Sequence, residues 1–167
     1  MKKKVVLIAI IGVLLFIIAK IFIFKDDKTQ TGAEWFKTQS KYIETLATLT
    51  DTIDSVTTLY VTKSISQADF LAHLDVFEKE LIILKADREN DLKQKPVEIG
   101  THSYCSKVGV ESIDSIYNKL KELITYMKNN SSDTEKLSYA YIAYQQVFTQ
   151  EFSKYEITYY ILFGSTD

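Results

Sequence analysis

His102 and Cys105 stand three residues apart in the segment THSYC. A thiol beside an imidazole is the pairing that nucleophilic chemistry uses, because the ring takes the thiol proton. Such a dyad also needs a strand–turn–helix frame, a glycine at an oxyanion site and an orienting carboxylate, and the surrounding sequence supplies none of them. Cys105 is the only cysteine. It reads as a thiol packed at the start of a helix, with an intermolecular disulfide as its one alternative pairing. Asp69 and His73 lie four apart, one above the other on a helix face, where they form a weak surface pair. Asp51 and Asp54, and the Glu78-Lys79-Glu80 run, flank apolar positions without joining them and read as solvated helix faces.

Helical bundles that hold two metals do so through Glu-x-x-His pairs projecting into the core. The sequence contains no Glu-x-x-His and only two histidines, so neither a metal nor another cofactor is expected. It also contains no glycine-rich phosphate loop, no G-x-S-x-G and no zincin motif. Asn129-Asn130-Ser131 and Asn130-Ser131-Ser132 are formal glycosylation sequons. The chain is expected not to be an enzyme.

Tyrosine is the residue type that calls for explanation. There are 11, and Tyr139, Tyr141, Tyr144, Tyr155, Tyr159 and Tyr160 crowd one segment. Buried rings with hydroxyls reaching a rim, rings presented to another protein and rings lining a ligand pocket are the three uses open to them.

The elements that would position these residues are helical. One Pro and five Gly in 167 residues leave few turns, which favours long helices over sheets. From 34 to 62, Trp35, Tyr42, Leu46, Leu49, Ile53, Val56 and Tyr60 recur at steps of three and four, with Gln39 in the one polar slot. A second stripe, Phe70, Leu74, Phe77, Leu81 and Leu84, is widened by Ile82 and Ile83. Ser66 caps it, and it continues to about 93 as a charged, solvated stretch. A third spans 103–129, interrupted early by Gly109. A fourth opens at Ser132-Asp133-Thr134-Glu135, a capping-box pattern, and carries Leu137, Tyr141, Tyr144, Phe148, Phe152, Tyr155, Tyr159 and Leu162 to Gly164. Four segments of matched length with short connectors predict an up-down-up-down four-helix bundle over 34–167.

Residues 1–24 predict something else. Val5 to Phe24 is an apolar run of 20 with one charge, Lys20. As a helix it would span about 30 Å, the thickness of a bilayer's hydrocarbon core. The run is too long for a secretory h-region, and Thr31-Gly32-Ala33 is a poor cleavage site set behind charges. It is expected to remain as an anchor (span 5–24), followed by a polar tether over 25–33. Lys2, Lys3 and Lys4 precede the span, so the N-terminus is expected in the cytoplasm and the bundle outside the cell membrane.

Charge divides along the same line. Residues 1–32 carry six Lys against two Asp, or +4, and the remainder carries 13 Lys and one Arg against 20 acids, or −6. An acidic outer domain argues against nucleic acid as a partner. The Lys-, Ile- and Tyr-rich usage points to an AT-rich bacterial genome. In an up-down-up-down bundle the start of the first helix and the end of the fourth share the membrane-proximal end. Trp35, Phe36, Tyr159, Tyr160 and Phe163 are therefore expected together there, beside the bilayer or a partner's span.

The plan of one anchor and a four-helix outer domain resembles the sensing half of a bacterial chemoreceptor, a likeness of architecture that carries no site residues. The expected function is a non-catalytic interaction or scaffold module with a protein partner. The alternative is a ligand-binding sensor or accessory subunit of a membrane signalling or transport complex.

Overall fold

The computed structural model describes residues 32–94 and 103–163. They form four helices, α1 (Gly32–Val61), α2 (Gln67–Gln94), α3 (Ser103–Asn129) and α4 (Thr134–Phe163), and no strand among the described residues. The anchor span, most of the tether, His102 and Gly164 lie outside the described residues. So do the side chains of Cys105, Leu162 and Phe163.

Threonine-rich α1 satisfies its hydroxyls on its own backbone and is held as a helix by packing. Its hydroxyls bond back to carbonyls four residues earlier, as from Thr45 to Lys41 at 2.7 Å and from Thr57 to Ile53 at 2.7 Å. Its apolar stripe is buried along its whole length, from Trp35 through Leu46 and Ile53 to Val56. Lys63 ends it in the left-handed region at φ 60°. Lys63 N–H donates to Tyr60 O (2.9 Å) and Ser64 N–H to Leu59 O (2.8 Å). This is a Schellman closure with lysine where glycine is usual.

Ser66 caps α2 as expected. Its hydroxyl oxygen accepts from Asp69 N–H at 3.1 Å, and the Asp69 carboxylate accepts from Ser66 N–H at 3.2 Å. At α4 the cap is shifted by one residue from the expected Ser132. Asp133 Oδ1 accepts from Lys136 N–H at 3.1 Å, and Asp133 C=O takes the first helical bond, from Leu137 N–H. A carboxylate reaches the open amides as well as a hydroxyl does, and here it also pairs with Lys136 Nζ at 3.0 Å.

Successive helices run antiparallel. Tyr60 stacks on Phe70 across α1 and α2, with ring centroids 4.5 Å apart. Lys128 of α3 reaches Asp75 and Glu78 of α2, both at 2.6 Å. Thr50 of α1 meets Tyr144 of α4 at 3.0 Å. α1 also packs along α3, whereas α2 and α4 are diagonally opposite, with no close backbone approach among the described residues. Phe70, Leu74, Leu81, Ile116, Leu120, Ile124, Met127 and Leu137 fill the centre. Ile82 and Ile83 do not widen the buried stripe of α2. Both are exposed, because that stripe is satisfied by Phe77, Leu81 and half-buried Leu84.

Candidate functional site

The start of α1 and the end of α4 lie together. Phe36 is tilted against Tyr155 at 5.4 Å and against Tyr159 at 6.0 Å, with Trp35 edge-on to it at 4.9 Å. The Tyr155 hydroxyl donates to Phe36 O at 2.9 Å and lies 3.2 Å from Ser40 Oγ. Phe36 also lies on Gly109 of α3. A Cβ there would come within 3.2 Å of the Phe36 ring and 3.5 Å of Trp35. Gly109, which weakens α3 locally, thus gives α1 its close approach.

The expected aromatic cluster divides accordingly. Trp35 is 2% exposed and Phe36 is fully buried, because both fall in phase with Gln39, Ile43 and Leu46 on the core side of α1. Tyr159 and Tyr160 stand outside, 41% and 67% exposed, with Ile157 and Ile161 beside them. Their rings meet edge-on at 6.1 Å. The Phe163 side chain lies outside the described residues.

Next to this end an open groove of about 890 Å³ runs between α1 and α4. Phe152, Tyr155, Tyr159 and Tyr160 form one wall, and Glu34, Lys37, Lys41 and Glu44 the other. Its charged groups are of both signs. Burial pushes the Tyr155 phenol up to about 12, with Ser40 opposing. Burial also raises the Tyr144 phenol further up α4, with Thr50 opposing. Neither tyrosine is therefore a proton donor or acceptor near neutral pH. A second concave stretch follows the outer face of α4 alone, past Ile142, Gln146, Gln150 and Ile157.

The remaining sequence candidates stay apart. Asp69 is held by the α2 cap. The Ser66 hydroxyl and then its amide keep the Asp69 carboxyl below the usual range, with His73 contributing less. His73 lies against Phe77 with centroids 6.2 Å apart. Asp51 and Asp54 are solvated, and Glu78 is paired with Lys128. Among the described residues no three His, Cys, Asp or Glu side chains are placed to hold a metal ion.

Arg88 departs from the sequence reading. It lies in the stretch read as solvated, yet it is buried. Its Nε–H donates to Gln39 Oε1 at 2.9 Å, Nη2 to Val110 O at 3.3 Å, and Nη1 to the Asp114 carboxylate. Nearby, Asp91 accepts from Tyr42 Oη at 2.5 Å and Lys41 Nζ at 2.6 Å. One guanidinium thus ties α1, α2 and α3 together beneath the aromatic end. The isolated Gln39 within an apolar stripe was the sequence signal for it, since a buried amide requires a partner.

Comparison of the chain with protein-family models, curated proteins and solved structures yields no match.

Proposed function

We propose that this chain is a single-pass membrane protein whose acidic helical bundle works outside the cell membrane as a non-catalytic interaction module. The observation that carries the reading is the distribution of exposed apolar side chains. The centre is packed with aliphatic residues, while Tyr139, Ile142, Ile157, Tyr160 and Ile161 stand in water on one helix, α4. Val76, Ile82 and Ile83 of α2 are exposed as well, but α4 carries more such side chains than any other helix, and a concentration of them is the mark of a contact site. Among the described residues no helix is long and apolar enough to cross a membrane; the proposed span is the apolar run 5–24, whose length as a helix matches a bilayer. Tyr159 and Tyr160, with Phe163, would meet headgroups or a partner's span at the end from which the tether leaves. Trp35 and Phe36 would give them a rigid backing.

The sensor reading is favoured by one feature, the groove between α1 and α4 with its wall of tyrosines. A small ligand there would lie against aromatic faces, between charges of both signs.

The test is alkaline extraction of membranes, followed by protease treatment of cells from outside. The full-length chain should remain in the extracted pellet, and external protease should remove the bundle. Recovery of a shortened chain in the medium, starting near Glu34, would sink the anchor. Saturable uptake of a small molecule that Tyr159→Ala abolishes would favour the sensor.

A further inference from the structure

The groove between α1 and α4 has the size of a ligand site, about 890 Å³ against roughly 300–1,000 Å³ for small-molecule pockets. The charges along it decide which ligand it suits. On the α1 wall the Lys41 ammonium is already met, 2.6 Å from Asp91 of α2. The side chains of Lys37, Glu44 and Glu156 make no hydrogen bond or ion pair among the described residues. The unmet charge along the groove is therefore two carboxylates against one ammonium. That negative charge reaches across the gap. Burial is the main reason the Tyr155 phenol sits high, and Glu44 on the opposite wall adds to the rise through space, with Ser40 opposing.

The α4 wall carries a more specific arrangement. Its charged residue is Glu156, which is exposed. Tyr159 and Tyr160 follow it by three and four residues and so share its helix face. Their rings stand at 73° to one another with centroids 6.1 Å apart, and buried Phe36 backs Tyr159 at 6.0 Å. Two ring faces at an angle form a corner. Each face carries negative potential and attracts a cation within about 6 Å of its centroid, and the carboxylate beside them adds to the attraction.

The kind of cation follows. A metal ion requires several converging ligands, and among the described residues no three His, Cys, Asp or Glu side chains are placed to supply them. An organic ammonium ion requires no fixed ligand set, and its carbon body suits the rings of Phe152 and Tyr155 further along the same wall. We propose that this groove binds an organic ammonium ion, with its charged nitrogen in the Glu156, Tyr159 and Tyr160 corner and its apolar body along Phe152 and Tyr155. The site rests on the sensor reading of the groove and names its ligand class. It gives Tyr159 and Tyr160 to the ligand in place of headgroups.

The test uses the full chain in maltoside micelles, with choline as the probe, ligand-observed NMR as the readout and empty micelles as the blank. Choline should bind saturably. Dimethylbutanol, the same molecule with carbon in place of the charged nitrogen, should bind at least tenfold more weakly. Glu156→Gln and Tyr160→Ala, both at exposed side chains, should each weaken choline binding at least threefold with helical content unchanged. Lys37→Gln removes a like charge and should tighten it about threefold. Tyr139→Ala, at the other end of α4, should change nothing. Equal affinity for choline and dimethylbutanol overturns the proposal, as does the absence of saturable choline binding. So does weaker choline binding in Lys37→Gln. Benzoate is the anionic comparison. Benzoate binding that Lys37→Gln removes would sink the ammonium and leave the sensor reading standing, whereas failure of choline, dimethylbutanol and benzoate alike would sink both.

Discussion

Arg88→Ala is expected to destabilise the bundle by about 3–4 kcal/mol. Gln39 is 1% exposed, so losing its Nε–H donor leaves a buried carbonyl oxygen without that bond, a cost of about 1–3 kcal/mol. Two buried methylenes of the arginine stem add about 1.6 kcal/mol. Asp114 adds little, because its side chain is 47% exposed and water replaces the guanidinium. Removing both polar partners has the opposite consequence. Gln39→Leu with Arg88→Met keeps the volume and leaves no orphaned buried amide, so the double variant should lie within about 1 kcal/mol of the native chain. Equilibrium urea unfolding reads the difference. Trp35, the one tryptophan, is buried at this end of the bundle and its fluorescence reports the transition. A cost below about 1 kcal/mol for Arg88→Ala would refute the argument, as would a double variant no better than the single one.

Three further outcomes follow from other parts of the fold. Tyr155 titrates near its ordinary value of about 10 when unfolded and up to about 12 when folded. The folded state therefore keeps its proton longer, and stability should be full below about pH 10 and fall between about pH 10 and 12; Tyr155→Phe should flatten that fall, as read by unfolding at stepped pH. Asp133→Ala should lower the melting temperature and Ser132→Ala should not, the reverse of what a Ser132 capping box requires. Lys63→Gly should stabilise the chain by about 0.5–1 kcal/mol, by relieving the left-handed backbone at the end of α1; a loss in urea unfolding would contradict the Schellman assignment.

The helices were legible in the sequence because burial and chain direction repeat locally. Phe70, Leu74, Phe77 and Leu81 announce α2 from their spacing, and Ser66 announces its start. What was not legible depends on partners distant in the chain. Arg88 sits among Lys85, Asp87, Glu89 and Asp91 and reads as solvated. Only the approach of Gln39, 49 residues away, makes it a buried tie. Trp35 and Phe36 are adjacent, and the stripe read from the sequence holds only Trp35. The room for Phe36 comes from Gly109 on another helix, where glycine had read only as an interruption. At α4, Ser132 and Asp133 are neighbouring N-cap residues of similar strength, and a single sequence does not choose between them. The exposed apolar side chains of α4 were legible only at its end, in Tyr159 and Tyr160, because farther up the same helix also shows a core stripe, and a helix apolar on both faces has almost no net direction.

Arg88 is also the chain's single arginine, and that gives the molecule a built-in reporter of its own opening. An arginine-specific protease has one peptide bond to cut, the one after Arg88. That bond lies inside a helix, with its side chain under the aromatic end. A protease needs an extended, accessible segment, so cleavage there must wait until α2 lifts from α1 and α3. While reclosing outpaces cutting, the rate of cleavage tracks the population of that open state. Digestion of the native chain therefore measures, with no label or substitution, how often this end of the bundle comes apart.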